Sequence, residues 1–281
     1  MADDYELLDS GGGRKLERFG RFVLARPCSQ ALWRQTLPNS DWSRADASFD
    51  REDGNRWHGR ANLPKEWEIE TAGIRFRLGG TDFGHLGIFP EQRAQWKWIR
   101  DTVRTAAKSR RASPAPQVLN LFAYSGGSTV AAAQGGAEVC HLDASRGMVE
   151  WARDNARLNG LADRPIRWIV DDAHKFMKRE VRRGRRYDAI ILDPPTFGRG
   201  ASGEMYKIER DLPETLSLVK SLLSDNPLFV LFSSHTPGLS CVVAENIIGQ
   251  AFSPSRLESG EMLLEGRSRP CPSGIFCRAM F

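Results

Sequence analysis

No run of residues in this 281-residue chain approaches the ~18–20 consecutive apolar positions a bilayer-crossing helix needs, and mean hydropathy is −0.43, so an integral membrane protein is not expected. Cysteine is scarce. The five present (Cys28, Cys140, Cys241, Cys271, Cys277) are odd in number, lack C-x-x-C spacing and have no histidine at a zinc-site interval. That argues against a structural metal and a disulfide scaffold, and a reducing cytoplasm is the expected setting. The opening MADDYELLDS is acidic and lacks a basic segment followed by an apolar one, so no secretory leader is expected. No repeat recurs at a period of 20–50 residues.

Acidic residues are outnumbered: Lys+Arg 40 against Asp+Glu 35 gives a net charge of +5, with pI ≈ 9.1. A basic balance suits a polyanionic partner without selecting one, because many cytoplasmic enzymes share it. Basic clusters at 108–111 and 182–186 read first as solvated helix ends or loops. Hydrophobic residues make up 41% and charged residues 27%, enough apolar material for a sizeable core and one large or two modest domains.

Two halves differ in pattern. Residues 1–85 are rich in Gly, Trp and Arg, with short alternating stretches. Residues 68–70 and 74–78 alternate at period two around Thr71-Ala72-Gly73, which predicts a β-hairpin. Residues 5–8 and 22–25 suggest a second strand pair, separated by Gly11-Gly12-Gly13 and residues 14–20, whereas 37–65 is polar, aperiodic and reads as a long loop. This is the signature of a small β-rich domain. Residues 86–281 form the second. There, short apolar runs at 118–122, 138–142, 166–170, 187–192 and 228–232 alternate with helix-length segments at 128–134, 146–158, 174–182 and 208–224, and 92–105 precedes them with helical spacing. Apolar runs without alternation mark strands buried on both faces, and their alternation with helices marks a parallel, doubly wound sheet.

The candidate chemistry follows the ends of these strands. After Val118–Leu121 the chain enters a small-residue turn, Phe122-Ala123-Tyr124-Ser125-Gly126-Gly127, and then an alanine-rich helix. Glycines there allow close backbone approach to a ligand, although the pattern departs from the dinucleotide fingerprint G-x-G-x-x-G. The next strand ends in Asp143, 17 positions after Gly126, near the interval at which an acid accepts hydrogen bonds from ribose hydroxyls. Capping the following helix is the competing role, and Ser145 can fill it instead. Asp171 and Asp172 follow the third strand, and either can accept from an adenine amino group or cap a helix. The fourth strand ends in Asp193-Pro194-Pro195-Thr196-Phe197. Asp193 and the Pro194 carbonyl form an acceptor-only pair suited to an exocyclic amine, and Phe197 offers a ring on which an unpaired base can stack.

The order of glycine turn, ribose acid, adenine acid and Asp-Pro-Pro resembles the class I S-adenosylmethionine-dependent methyltransferases. More narrowly, it resembles ribosomal RNA large-subunit methyltransferases, through residues 119–127, Gly136-Ala137, Asp143-Ala144-Ser145, Asn155, Leu158-Asn159-Gly160, Asp172, Phe176 and residues 193–197. A Gly87-Ile88-Phe89-Pro90-Glu91-Gln92-Arg93 element is also similar to one that lies over the methionine end of the cofactor in relatives. The resemblance covers roughly residues 84–281. It implies a Rossmann-like α/β fold: a seven-stranded methyltransferase sheet with helices on both faces, preceded by the small β-rich domain. The implied cofactor is S-adenosyl-L-methionine, held by Phe89, Gln92, Arg93, Phe122, Tyr124, Ser125, Gly126, Gly127, Asp143, Ala144, Ser145, Asn159, Asp172, Ala173 and Asp193. Asp193, Pro194 and Phe197 are the implied catalytic residues.

Relatives that methylate cytosine C5 need a cysteine nucleophile, often just after the fifth strand, where this chain has Ser233-Ser234-His235. A serine hydroxyl cannot replace a thiolate, and Cys241 lies further on, in what reads as the next helix. Methylation of a nitrogen in RNA, ribosomal RNA foremost, is therefore the expected reaction, with no metal and no membrane required. His235 has two readings, orienting a target base or a plain loop residue. Other substrates (a protein or a small molecule), a non-catalytic RNA-binding factor with a relic pocket, and self-association all stay open. A nicotinamide oxidoreductase on the same sheet leaves the Asp-Pro-Pro corner without a purpose.

Overall fold

The computed structural model describes residues 3–51, 54–109, 114–199, 203, 205–267 and 269–281. Two residues of the basic cluster at 108–111 lie outside these. Contacts divide the chain into two compact units. One comprises Met1–Ala94 with Met262–Ser273, the other Gln95–Glu261 with Gly274–Phe281.

The first unit is β-rich. Strands β1 (Tyr5–Gly11), β2 (Arg14–Phe19), β3 (Phe22–Pro27), β4 (Ala47–Asp50) and β5 (Arg56–His58) form one sheet in that order, with the short helix α1 (Asn39–Trp42) between β3 and β4. Strands β6 (Trp67–Thr71) and β7 (Ile74–Leu78) form the expected hairpin, turning at Ala72-Gly73. The expected direct pairing of 5–8 with 22–25 does not occur, because β2 lies between β1 and β3 and pairs with both. Charge hid this strand in the sequence. Glu17 is fully buried, yet it is matched by Arg26 at 2.7 Å, Lys15 at 3.2 Å and the Tyr5 hydroxyl at 3.0 Å. A buried carboxylate so fully partnered avoids the desolvation cost that makes lone buried charges rare. The segment 37–65 is also more than loop: α1, β4 and β5 are each only three or four residues long, too short to display a period.

The second unit holds the seven-stranded sheet. In chain order its elements are α2 (Arg93–Ser109, its first two residues counted with the first unit), β8 (Gln117–Leu121), α3 (Gly127–Gln134), β9 (Glu138–Asp143), α4 (Arg146–Leu158), β10 (Ile166–Val170), α5 (Ala173–Arg182) and β11 (Ala189–Leu192). A small hairpin, β12 (Phe197–Arg199) and β13 (Met205–Lys207), leads to α6 (Ile208–Leu222), β14 (Phe229–Ser234), α7 (Cys241–Phe252), β15 (Arg256–Leu264, its last three residues counted with the first unit) and β16 (Cys271–Met280, its first three likewise). Sheet order is β10-β9-β8-β11-β14-β16-β15. The first five strands run parallel, and β16 pairs antiparallel with β14.

Strand parity sorts the helices onto two faces. Leu119, Leu121, Cys140, Leu142, Ile190, Leu192, Val230 and Phe232 cluster with Phe176 and Met177 of α5, Leu212, Leu216 and Val219 of α6, and Ala244 and Ile248 of α7. Residues of the opposite parity meet the other helices. Asn120 and His141 bond Thr129 of α3, and the Phe229 ring lies 4.7 Å from Trp98 of α2. Among the described residues no helix is long and apolar enough to cross a membrane.

Candidate active site

Chain direction fixes where chemistry can sit. The order reverses between β8 and β11: β9 and β10 extend to one side, β14 to the other. Open α/β sheets bind ligands at the carboxyl edge of such a switch point. One register row crosses all five parallel strands, Ile169, Leu142, Leu121, Leu192 and Phe232. The residues immediately after it are Val170, Asp143, Phe122, Asp193 and Ser233. Asp143 and Asp193 therefore stand on the same edge, one strand to either side of the glycine turn and roughly 10 Å apart at a strand spacing of ~4.8 Å.

The turn after β8 is tightly specified. Phe122 and Tyr124 adopt left-handed backbone angles (φ 54° and 49°), which cost non-glycine residues about 1 kcal/mol or more each. Three bonds hold that shape: the Tyr124 N–H donates to Asp143 Oδ2 at 2.9 Å, the Gly126 N–H to the Ala123 carbonyl, and Asn155 Nδ2 to the Ser125 carbonyl at 2.9 Å. The glycines answer to neighbours in the core. Gly126 is left-handed (φ 87°), and a Cβ there would stand 2.9 Å from the Ala152 methyl group; a Cβ on Gly127 would stand 2.7 Å from the Trp96 ring.

Asp143 also accepts from the Ser145 N–H at 2.8 Å, so each carboxylate oxygen takes one backbone donor. Burial pushes its carboxyl above the ordinary range, and the two N–H donors partly offset this. Ser145, not Asp143, caps α4, accepting from Met148 at 3.4 Å, so the helix-capping alternative for Asp143 falls away. Ala144 bridges the two. After β10, Asp172 caps α5 through Lys175 at 2.9 Å, with Ala173 buried as the first helical residue, while Asp171 pairs with Arg179. Thus Asp172 performs the capping role the sequence left open for it, on the same edge as Asp143.

At the end of β11, Asp193 Oδ1 lies 3.6 Å from His235 Nδ1, an ion pair when the imidazole is protonated. Thr196 and Thr236 hydroxyls meet at 2.9 Å, a second tie between the loops after β11 and β14. Pro194 is buried and Phe197 is 51% exposed on β12. Cys241 opens α7, outside the loop after β14, and burial raises its thiol pKa.

Of the remaining expected site residues, one stands at the other edge of the sheet and three belong to the first unit. Asn159 closes the C-terminal end of α4, its Nδ2 donating to the Asn155 carbonyl at 2.7 Å. A helix that follows a parallel strand runs back to the opposite edge, so Asn159 is not brought together with Asp143. Phe89, Gln92 and Arg93 belong to the first unit. There Phe89 meets the His85 ring edge-on, Gln92 donates its N–H to the Phe89 carbonyl, and the Arg93 guanidinium serves the Pro90 and Glu265 carbonyls, Asp3 and the Tyr5 ring.

Sequence reasoning missed the layer beneath the turn. Asn120 donates to Thr129 Oγ1 at 2.9 Å, and that hydroxyl shares a second hydrogen bond with His141 Nδ1 at 2.9 Å. Burial lowers the His141 pKa to about 3, so the ring stays neutral. An asparagine inside one otherwise apolar strand and a histidine inside the next were the available signals.

Residues 48–227, well over half of the chain, match the S-adenosylmethionine-dependent methyltransferase family. The chain belongs to that family. A crystal structure of the SAM-dependent methyltransferase from Agrobacterium tumefaciens is 36% identical, with TM-score 0.90, over 99% of this chain and 91% of that one. A methyltransferase complexed with SAH shares the fold at TM-score 0.74 and 19% identity, over 99% and 76% of the two chains. Ribosomal RNA large subunit methyltransferase K/L of Shewanella frigidimarina is 34% identical over 167 residues, 56% of this chain and 21% of the relative. The same enzyme of Methylococcus capsulatus is 35% identical over 170 residues, 59% and 21%. This methyltransferase chain thus spans about a fifth of the length of the curated relatives it matches.

The residues present fit the family's cofactor. Asp143 retains lone pairs beyond its two backbone donors, as a ribose diol requires. Side chains cap α4, α5 and α7, through Ser145, Asp172 and Ser240, whereas no side chain caps α3. The positive end of α3 at the glycine turn would suit a ligand carboxylate such as that of the methionine portion.

Proposed function

We propose that this methyltransferase transfers a methyl group to a nitrogen of an RNA base, ribosomal RNA being the substrate class. The observation that carries the reading is the Asp193-Pro194-Pro195 corner standing one strand from the glycine turn, beside a half-exposed aromatic, Phe197. The names of the curated relatives support RNA as the substrate class.

S-adenosylmethionine supplies an electrophilic methyl on a sulfonium, so the leaving group is already activated. The chain's own residues bind and orient. Asp143 takes the ribose hydroxyls, Asp172 or its neighbour Asp171 the adenine amine, and the turn 122–127 the methionine portion. Asp193 and the Pro194 carbonyl accept the two N–H bonds of the target amine. That would orient the nitrogen for methyl transfer and stabilise the positive charge that develops on it, with the Asp193 carboxylate placed to take the proton the nitrogen sheds. Phe197 stacks on the base, and its half-exposed position suits an extruded or unpaired nucleotide. The absence of a thiol in the loop after β14 favours nitrogen over cytosine C5. Phe89, Gln92 and Arg93 remain proposed neighbours of the methionine end, Arg93 with a guanidinium already engaged. A cytoplasmic setting goes with this reading, and neither a metal nor a membrane is required.

The test is label transfer from radioactive S-adenosylmethionine to RNA from cells lacking the gene, followed by nucleoside mass spectrometry. The expected result is a methylated base in ribosomal RNA, abolished by Asp193→Ala while RNA binding persists. Label in a protein or small-molecule fraction alone, or full transfer by the Asp193→Ala protein, overturns the reading.

A further inference from the structure

We propose that Cys28 and Cys271 form a peroxide-reactive dithiol site in the first unit, where a hydroperoxide is reduced as the two sulfurs are joined. They are 243 positions apart in sequence, yet their Sγ atoms lie 3.2 Å apart. That is about 1 Å more than a disulfide bond of ~2.05 Å, so bond formation requires the two sulfurs to approach by about 1 Å. Both belong to the same compact unit. Cys28 follows β3 in a fixed turn, its N–H donating to the Gly13 carbonyl at 2.7 Å and its carbonyl accepting from Ala31 at 3.0 Å. Cys271 is the first residue of β16 and fully buried, whereas Cys28 is partly exposed.

Burial and charge divide the labour. The hydrogen bond with the Cys271 thiol is the main cause that draws the Cys28 pKa down to about 6, against burial and the Glu17 charge, and the Lys15 ammonium and the Gln30 backbone act in the same direction. The same bond and burial push Cys271 up. Lys15 is itself 3.2 Å from Glu17, so the cation beside the pair is held in place. The other three cysteines are protected: burial raises Cys140 to about 11 and Cys277 to about 12, and raises Cys241 as well. Since the thiolate is the nucleophile, Cys28 is the one sulfur both charged near neutral pH and reachable from solvent.

The reaction runs in two displacements. The Cys28 thiolate attacks one oxygen of hydrogen peroxide, the O–O bond breaks, and hydroxide leaves, taking a proton to become water; Cys28 becomes a sulfenic acid. Cys271 sulfur then attacks Cys28 Sγ, the S–O bond breaks, and the departing hydroxide takes the Cys271 proton. Two thiols and one peroxide give one disulfide and two waters, the thiols being oxidised and the peroxide reduced.

The experiment treats the whole chain with hydrogen peroxide and counts thiols after denaturation. Expected are a fall from five free thiols to three, a mass lower by about 2 Da as two hydrogens leave, and a proteolytic peptide joining Cys28 to Cys271. In Cys271→Ser the reaction stops at a sulfenic acid on Cys28 that a dimedone probe captures, and Cys28→Ser consumes peroxide at least tenfold more slowly. Five thiols surviving a peroxide excess, a disulfide involving Cys140, Cys241 or Cys277, or wild-type peroxide consumption by Cys28→Ser each overturns the proposal. If either serine variant fails to fold, the peptide map of the unmodified chain decides alone.

Discussion

Gly127→Ala tests whether the turn's second glycine answers to the core or to the ligand. The new methyl carbon would meet Trp96 Cε2 and Cζ2 at 2.7 Å and Nε1 at 2.9 Å, and Trp96 is only 4% exposed. Carbon atoms settle at ~3.5–4.0 Å, so the ring must retreat by about 1 Å into a packed neighbourhood. Overpacking of this kind costs roughly 1–3 kcal/mol, and because Gly127 is the first residue of α3, outside the helix interior to which the ~1 kcal/mol preference for alanine over glycine applies, that gain is not set against it. At about 3 °C per kcal/mol for a chain of this size, the ligand-free melting temperature falls by roughly 3–9 °C. Trp96→Leu makes room for the methyl group, so the double variant loses less than the sum of the two single losses, by about 1 kcal/mol or more. Thermal unfolding followed by circular dichroism, without S-adenosylmethionine, reads both numbers. A Gly127→Ala protein melting within about 1 °C of wild type, with strict additivity to Trp96→Leu, refutes the packing argument and returns the glycine to the ligand.

Asp143→Ala removes the acceptor for two backbone donors and for the ribose, and charge-assisted bonds of ~1.5–3 kcal/mol predict S-adenosylmethionine affinity weaker by roughly 10- to 150-fold in calorimetry. Unchanged affinity would dismiss Asp143 as the ribose acid. The buried His141 titrates near 3 in the fold against an ordinary value of 6.5, so the unfolded chain binds its proton first and stability is lost as pH falls from about 6.5 towards 3. Linkage puts that loss at about 2 kcal/mol between pH 7.5 and 5, and denaturant titration of wild type against His141→Gln should show the variant's pH slope flattened over that interval. Phe197→Ala removes a stacking surface of ~1–3 kcal/mol and should raise KM for RNA roughly 5- to 150-fold with cofactor affinity unchanged, as label-transfer kinetics will report.

Strands read as unbroken apolar runs were legible because each lies between two layers of helices. Ile166–Val170 and Arg146–Leu158 carry the bounds expected of them. The register row that sets Asp143 and Asp193 on one edge of the sheet follows from that alternation and from chain direction. Legibility ended where a partner distant in sequence decides the structure. β2 is a strand because Arg26 and Lys15 neutralise Glu17, and β15 and β16 were not expected as separate elements because their ladder needs β14 beside them. In the site, Asp172 and Ser145 show the limit of reading acids and hydroxyls at strand ends, since a cap and a ligand acceptor carry the same letter. Asn159 misled because a motif fixes order along the chain without fixing which edge of the sheet a residue reaches. The thiol pair is invisible for the plainest reason, that nothing in local spacing links positions 28 and 271.

Met262–Ser273 completes a unit otherwise made of Met1–Ala94, with the Leu7 N–H donating to the Glu265 carbonyl and the Arg267 N–H to the Leu7 carbonyl. A ribosome delivering this polypeptide therefore releases the first unit unfinished, holding open a strand edge whose partner emerges more than 160 positions later. Expression of 1–94 alone should yield a sticky fragment, whereas supplying 262–273 through a short artificial tether would restore a closed body. Nascent-chain protease protection, followed length by length, should show the amino-terminal region becoming resistant only after the translation of residue 273.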